Sequence, residues 1–353
     1  MDIPIALAIG RSTPGRKIRL QPGTYREGVQ ITKAIELWGE SPGAVSLQGP
    51  SNQPALLVET DAVVSGLSIE GSDTPGAVAV RVSSGRLQME NCELSSNRLT
   101  ICVAGPTAEL LLRGCRILRS GFAIEVSNGA RLRMEDCEIS GTRLFALVVK
   151  QRAAATIVRT RFAETRLGGV VVQEESQASF ETCEFADNPA PAENQPLLEA
   201  QLQVDGSHVR MHQCWLHGGT GCGILLGERA NLNMAQCRIT GHGKAGVQVG
   251  ANSYLTLEEC QIEANRGAGL IVADGGRAAG TDVVCADNGA AGIAVMNQGI
   301  VEMKKTRVRG NLVGMVLMRG ARASLVECDL TENTQGPIRA DADCPVDLSQ
   351  TKY

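Results

Sequence analysis

The chain has 353 residues, 43% of them hydrophobic but only 3% aromatic, with 40 glycines and a formal net charge of −4. That length can bury the core of one large repeat domain or of two globular ones. The acidic balance gives no general attraction for nucleic acid or anionic membrane, and no apolar run reaches the length of a membrane span.

The opening MDIPIALAIGR puts an acid where a secretory leader carries basic residues, and its apolar stretch is short. A cytoplasmic setting is therefore expected. Residues 1–15 read as an N-terminal cap, with a short helix over residues 4–10 acting as a lid on the first coil. Residues 40–86 read as two irregular coils with loops at SPGA and GSDTPG.

From residue 87 a period takes over. Aligning phrases such as MAQCRITGHGKAGVQV and LEECQIEANRGAGLIV gives the column Cys92, Cys115, Cys137, Thr160, Cys183, Cys214, Cys237, Cys260, Val283, Thr306 and Cys328. The steps are 22 or 23 residues except one of 31, between Cys183 and Cys214. Apolar residues recur three and five places before this column, two places after it, and ten and twelve places after it. Each repeat thus holds three short runs of period-two alternation with no room for a ten-residue helix. Three strands per repeat make one turn of a parallel coil, and stacking the turns about 4.8 Å apart puts equivalent residues over one another. The expected fold is all-β, a single-stranded right-handed parallel β-helix over residues 16–340 with about 12 coils of about 23 residues. Residues 341–353 are expected to leave it as a C-terminal tail or cap, since Pro345 interrupts pairing.

The cysteine column then reads as an internal stack of small apolar side chains beside a bend. The spacing fits neither zinc ligands nor a disulfide framework, and a cytosolic setting would keep the thiols reduced. Five places after the column come Asn97, Ser120, Thr142, Thr165, Asn188, Gly219, His242, Asn265, Asn288, Asn311 and Asn333, expected to form an asparagine ladder holding the next bend. One place after the column, Glu93, Arg116, Glu138, Arg161, Glu184, Trp215, Arg238 and Gln261 should face outward as a solvated row of alternating charge.

Residues 15–40, GRKIRLQPGTYREGVQITKAIELWGE, resemble the entry coils of the pectate-lyase-like β-helix superfamily in Pro22, Gly23, Thr24 and Tyr25, then in Ile35, Leu37 and Gly39. The resemblance implies the same architecture through nearly the whole chain. That superfamily contains extracellular carbohydrate-active enzymes and non-enzymatic repeat proteins, so function must be argued from a site. Of the segments that mark its polygalacturonases, only Gly241-His242-Gly243 is matched, and His242 lies in the turn column. The stacked aspartates of pectate lyases and the Asp-Pro-His-Asp of alginate epimerases are missing. No catalysis, cofactor or metal is expected.

The long step adds eight residues to a coil that reads ADNPAPAENQPLLEAQLQV, in which Pro189, Pro191 and Pro196 prevent continuation of the sheet. The histidines His208, His212, His217 and His242 follow it, and Trp215 breaks the charge row there. Trp215, His217, His242, Glu193 and Asn194 are the candidate binding residues, because loops and exposed aromatics on a rigid frame are where recognition concentrates. Chance placement of one insertion is the competing explanation. The function expected is a non-catalytic binding or scaffolding module for a protein partner or fused domain, with carbohydrate as a second ligand class. The alternatives are a carbohydrate-active lyase, hydrolase or epimerase with a divergent site, and a structural protein that associates end to end through weakly capped ends.

Overall fold

A bend taken by a single residue sets the shape of every coil. The residue just before each member of the cysteine column, from Asn91 through Asp136, Arg159, Thr182, Gln236 and Lys305 to Gln350, has φ between 45° and 58°. One left-handed residue turns the chain sharply from one strand into the next. Its neighbour, small and apolar, fits inside the corner. The structure, a computed structural model, describes residues 4–74, 76–186 and 200–353, which wind into a right-handed parallel β-helix of about 14 turns. They divide into two compact units, Met1–Arg166 with Glu175–Ala178, and Leu167–Glu174 with Ser179–Tyr353.

In the first unit, helix α1 (Ile5–Arg11) buries Ile5 and Ile9 against the strand Val29–Ile31. The Glu27 carboxylate accepts the Ile5 and Ala6 amide protons at 2.6 and 3.1 Å, and Lys33 Nζ donates to the carbonyls of Gly10 and Ser12. An acid at the N-terminus and a base at the C-terminus match the helix dipole. Strands Arg16–Arg19, Ile35–Trp38, Ala62–Ser65, Gly85–Glu90, Ala108–Arg113, Arg131–Glu135 and Ala154–Val158 then pair in parallel, in that order. Register stacks like on like inside, with Leu87, Leu110 and Leu132 in one column and Met89, Leu112 and Met134 in the next. Gly39 permits this stacking, because a Cβ there would lie 2.4 Å from the Gly66 carbonyl oxygen.

In the second unit the parallel order runs His208–His212, Asn231–Ala235, Tyr254–Glu258, Arg277–Thr281, Ile300–Lys304, Arg322–Val326 and Val346–Ser349. The last of these corrects the expected tail: residues 346–349 add a strand, and Thr351 takes the place of the column cysteine, donating to Leu325 O at 3.1 Å. At the other end of the column Leu67, buried behind Gly66, precedes Cys92. The sequence count ran from Cys92 to Cys328 and did not extend to these two positions.

All twelve cysteines are buried thiols. The eight in the column are at most 5% exposed. Their thiols lie against backbone carbonyls, as Cys115 Sγ against Met89 O at 3.5 Å and Cys260 Sγ against Met234 O at 3.6 Å. The same thiols also face the carbonyl two residues earlier, Arg113 O at 3.4 Å and Glu258 O at 3.3 Å. Thr160 and Thr306 donate their hydroxyls to that carbonyl, Val158 O at 3.0 Å and Lys304 O at 3.2 Å, which is why they substitute for cysteine. The asparagine ladder is present in the second unit: the side-chain amides of Asn265, Asn288 and Asn311 each donate to the next Oδ1, ending at Asn333, every step 3.0 Å. Asn97 is a correction. It is exposed and bonds to Asp73, because the strand Glu93–Ala104 runs straight through the position where other coils bend.

Candidate functional site

The outward face of the strands Glu184–Ala186, Trp215–His217 and Arg238–Thr240 carries the site suggested by the sequence. Parallel pairing sets Glu184 beside Trp215 and Trp215 beside Arg238, while Ala186, His217 and Thr240 form the next row, in which Ala186 is buried. Alternation within the three-residue strand Trp215–His217 turns Leu216 into the core and the two rings out together. Their centroids are 3.9 Å apart with 26° between the planes, a stacked pair. The indole remains 42% exposed. His217 Nε2 lies 3.0 Å from Glu184 Oε1, so a carboxylate from the preceding coil fixes the imidazole and the imidazole braces the indole. Arg238 turns away toward Glu263, at 3.5 Å.

His242 does not join this surface. It is fully buried in the ladder column, where its Nδ1 lies 2.9 Å from Asn265 Oδ1 and its Nε2 3.1 Å from Gln201 Oε1. The sequence pattern that placed it in the turn column is the informative one, and its inclusion in the binding patch is withdrawn. Burial holds its pKa down, at about 4, despite the hydrogen bond to Asn265 that favours the charged ring. Glu193 and Asn194, with the prolines around them, lie outside the described residues.

Two residues that the sequence reading passed over complete the arrangement. Glu184 was counted only as a member of the charge row. Gln201 follows the insertion, out of phase with the repeat; it is buried, and its Nε2 donates to the His217 carbonyl at 2.8 Å while its Oε1 faces His242. The strand bearing the exposed rings is thereby tied to the ladder behind it. The result is a preordered aromatic platform with an imidazole edge and a carboxylate, able to stack on a flat group and to exchange hydrogen bonds at its rim. Among the described residues, no group of three His, Cys, Asp or Glu side chains is placed to hold a metal ion. Among the described residues, no helix is long and apolar enough to cross a membrane.

Comparison with known proteins bears on the fold. The structure resembles the periplasmic alginate epimerase AlgG (TM-score 0.60, 12% identity, covering 99% of this chain and 82% of that one). It also resembles the A-module of the Azotobacter vinelandii mannuronan C-5 epimerase AlgE4 (TM-score 0.51, 16% identity, 97% and 92%). A chain of the Vag8–C1 inhibitor complex is similar to the same degree (TM-score 0.51, 17% identity, 96% and 95%). Identities this low establish a shared architecture. No match is found among curated proteins. The model of the right-handed β-helix region matches residues 54–195 and 200–351, most of the sequence, and the chain belongs to that family.

Proposed function

We propose that the chain is a non-catalytic recognition module that binds a protein partner through the face around Trp215. The observation that carries this is the braced indole: a large side chain, exposed, yet held by His217, Glu184 and, through the strand, Gln201. An anchor ordered before binding loses little entropy on binding, and tryptophan is among the side chains that dominate interfaces. A shared fold with a chain of the Vag8–C1 inhibitor complex agrees with protein binding by such a scaffold. The twelve buried thiols support a reducing, cytoplasmic setting as part of the same proposal.

A second reading has one observation in its favour. His217, oriented by Glu184 beside an exposed indole, has the layout of a proton-transferring imidazole next to a sugar-stacking ring, and two of the structures that share the fold are epimerases of alginate or mannuronan. The tests separate the two. A partner captured on the wild-type protein should bind the Trp215→Ala, His217→Ala variant about 10-fold more weakly or worse, roughly 1.4 kcal/mol, with the fold unchanged by circular dichroism. Alginate, pectin and polygalacturonate should remain unprocessed. Unchanged affinity in the double variant would remove the patch from the interface. Turnover of any of these polymers that disappears in His217→Gln would establish the enzymatic reading instead.

A further inference from the structure

The first unit contains a groove of about 900 Å³ whose chemistry differs from that of the Trp215 face. It arises from a local change in the coil. Strands Glu93–Ala104 and Arg116–Ser127 each run for 12 residues, with register shifts between Leu94 and Ser96 and between Ser96 and Leu99. Elsewhere two short strands and a bend occupy that stretch; of the two long strands only Arg116–Ser127 keeps a left-handed residue there, Arg119. Here the corner is opened into a trough. The half-buried side chains of Leu99, Phe122 and Leu144, from successive coils, form its floor. A hydroxyl pair, Thr100 with Ser120 at 2.6 Å, replaces the asparagine ladder beneath it.

The rim is cationic. Arg81, Arg98 and Arg143 are exposed, and the one carboxylate among the lining residues, Asp73, accepts Asn97 Nδ2 at 2.6 Å. Arg98 donates Nε to the Asp73 carbonyl at 3.5 Å, and Arg143 donates to the Asn97 carbonyl. Backbone contacts thus hold two of the guanidinium groups while most of their N–H donors stay unused. Among the described residues none of the three forms an ion pair with a carboxylate. On the same unit Arg113, Arg116, Arg152 and Arg159 are each paired with an acid. Three unmatched guanidiniums gathered on an acidic protein repel one another unless an anion sits between them.

We propose that this groove binds an amphiphilic organic anion. The oxyanion head, whether carboxylate, phosphate or sulfonate, is held by Arg81, Arg98 and Arg143, and a flat apolar body lies on Leu99, Phe122 and Leu144. Guanidinium groups suit planar or tetrahedral oxyanions because they donate in a fork. The volume lies in the range of small-ligand sites, and an apolar floor with a few directed polar groups is their usual composition.

Calorimetric titration with 1-naphthyl phosphate, 2-naphthoate and naphthalene-2-sulfonate tests this, with neutral 2-naphthol as control. The three anions should bind, weaken at high salt, and rank by head group, while 2-naphthol binds about 10-fold more weakly or worse than the best of them. The Arg81→Gln, Arg98→Gln, Arg143→Gln variant should lose about 10-fold or more in affinity for the anions and leave 2-naphthol unaffected. If that variant fails to fold, Arg81→Glu, a change at an exposed side chain, should produce the same selective loss. Trp215→Ala should leave all four titrations unchanged, which separates this site from the proposed interface. Equal binding of 2-naphthol and the anions, unchanged affinity in a folded arginine variant, or no binding of any anion would overturn the proposal.

Discussion

At position 242 the chain places an imidazole where the next four coils place a carboxamide, and the exchange makes stability depend on pH. His242 Nδ1 can donate to Asn265 Oδ1 as asparagine would, but a neutral ring has no second proton for Gln201 Oε1. Charging the ring would supply that proton at the cost of a desolvated cation, and burial wins, holding the pKa at about 4 against an ordinary 6.5. The unfolded chain therefore binds the proton first as pH falls. Stability is complete above about pH 6.5 and is lost progressively down to about pH 4, a decrease on the order of 3 kcal/mol. Urea midpoints measured between pH 7 and pH 4 should show this fall in the wild type, with a shallower fall in His242→Asn, which restores the carboxamide. Identical slopes would show that another group titrates. The sequence contained both readings of this residue, a ladder member and a surface histidine. Only the phase of the repeat distinguished them. For Trp215 and His217 the same phase was sufficient, whereas Gln201 sits just after the insertion, where phase cannot be carried forward.

The bends show what an element needs beyond a pattern of apolar residues. Their positions are legible in the spacing of the cysteines, but the left-handed conformation of the preceding residue is not. Arg159, Gln236, Lys305 and Glu327 occupy it as readily as Asn91 or Asp136, so no turn signature recurs. The hydrogen bonds of adjacent coils impose the conformation. Thr182 is the β-branched member, with φ of 53°, where the branched side chain crowds the backbone. Thr182→Asn should therefore raise stability by about 0.5–1 kcal/mol, read as a higher denaturation midpoint with unchanged slope. A lower midpoint would mean that the threonine side chain contributes more than its strain costs. The strand Glu93–Ala104 is the converse case, since none of its residues has a positive φ, whereas Arg119 keeps the bend within Arg116–Ser127. Asn97 carries the residue type of a ladder, and the sequence reading placed it there. Without a bend for it to hold, it faces solvent and bonds to Asp73.

For the molecule as a whole, the period alone specified the architecture, because a solenoid repeats one local solution and each coil need only agree with its neighbours. What the period could not show were the places where it is broken, namely the opened corner of the first unit and the brace behind Trp215. The ends were also misread. Pro345 suggested a stop, yet Val346–Ser349 pairs with Arg322–Val326 in full register, and Thr351 continues the buried column. That column has a use in measurement. Eight of the eleven column positions from Cys92 to Cys328 are buried thiols at the same corner, so the protein has a graduated scale of local opening written along its length. Under native conditions a thiol reacts only when its own coil separates, and the reaction rate of each cysteine, resolved by peptide mapping, converts to an opening free energy for that coil. Cys328, covered on one side by the final coil alone, should react sooner than Cys237 or Cys260, which have several coils on both sides. Equally rapid modification of all three would show that the coils open together or that the thiols are not enclosed. A graded series would give the cooperativity of a β-helix one turn at a time, with no probe introduced.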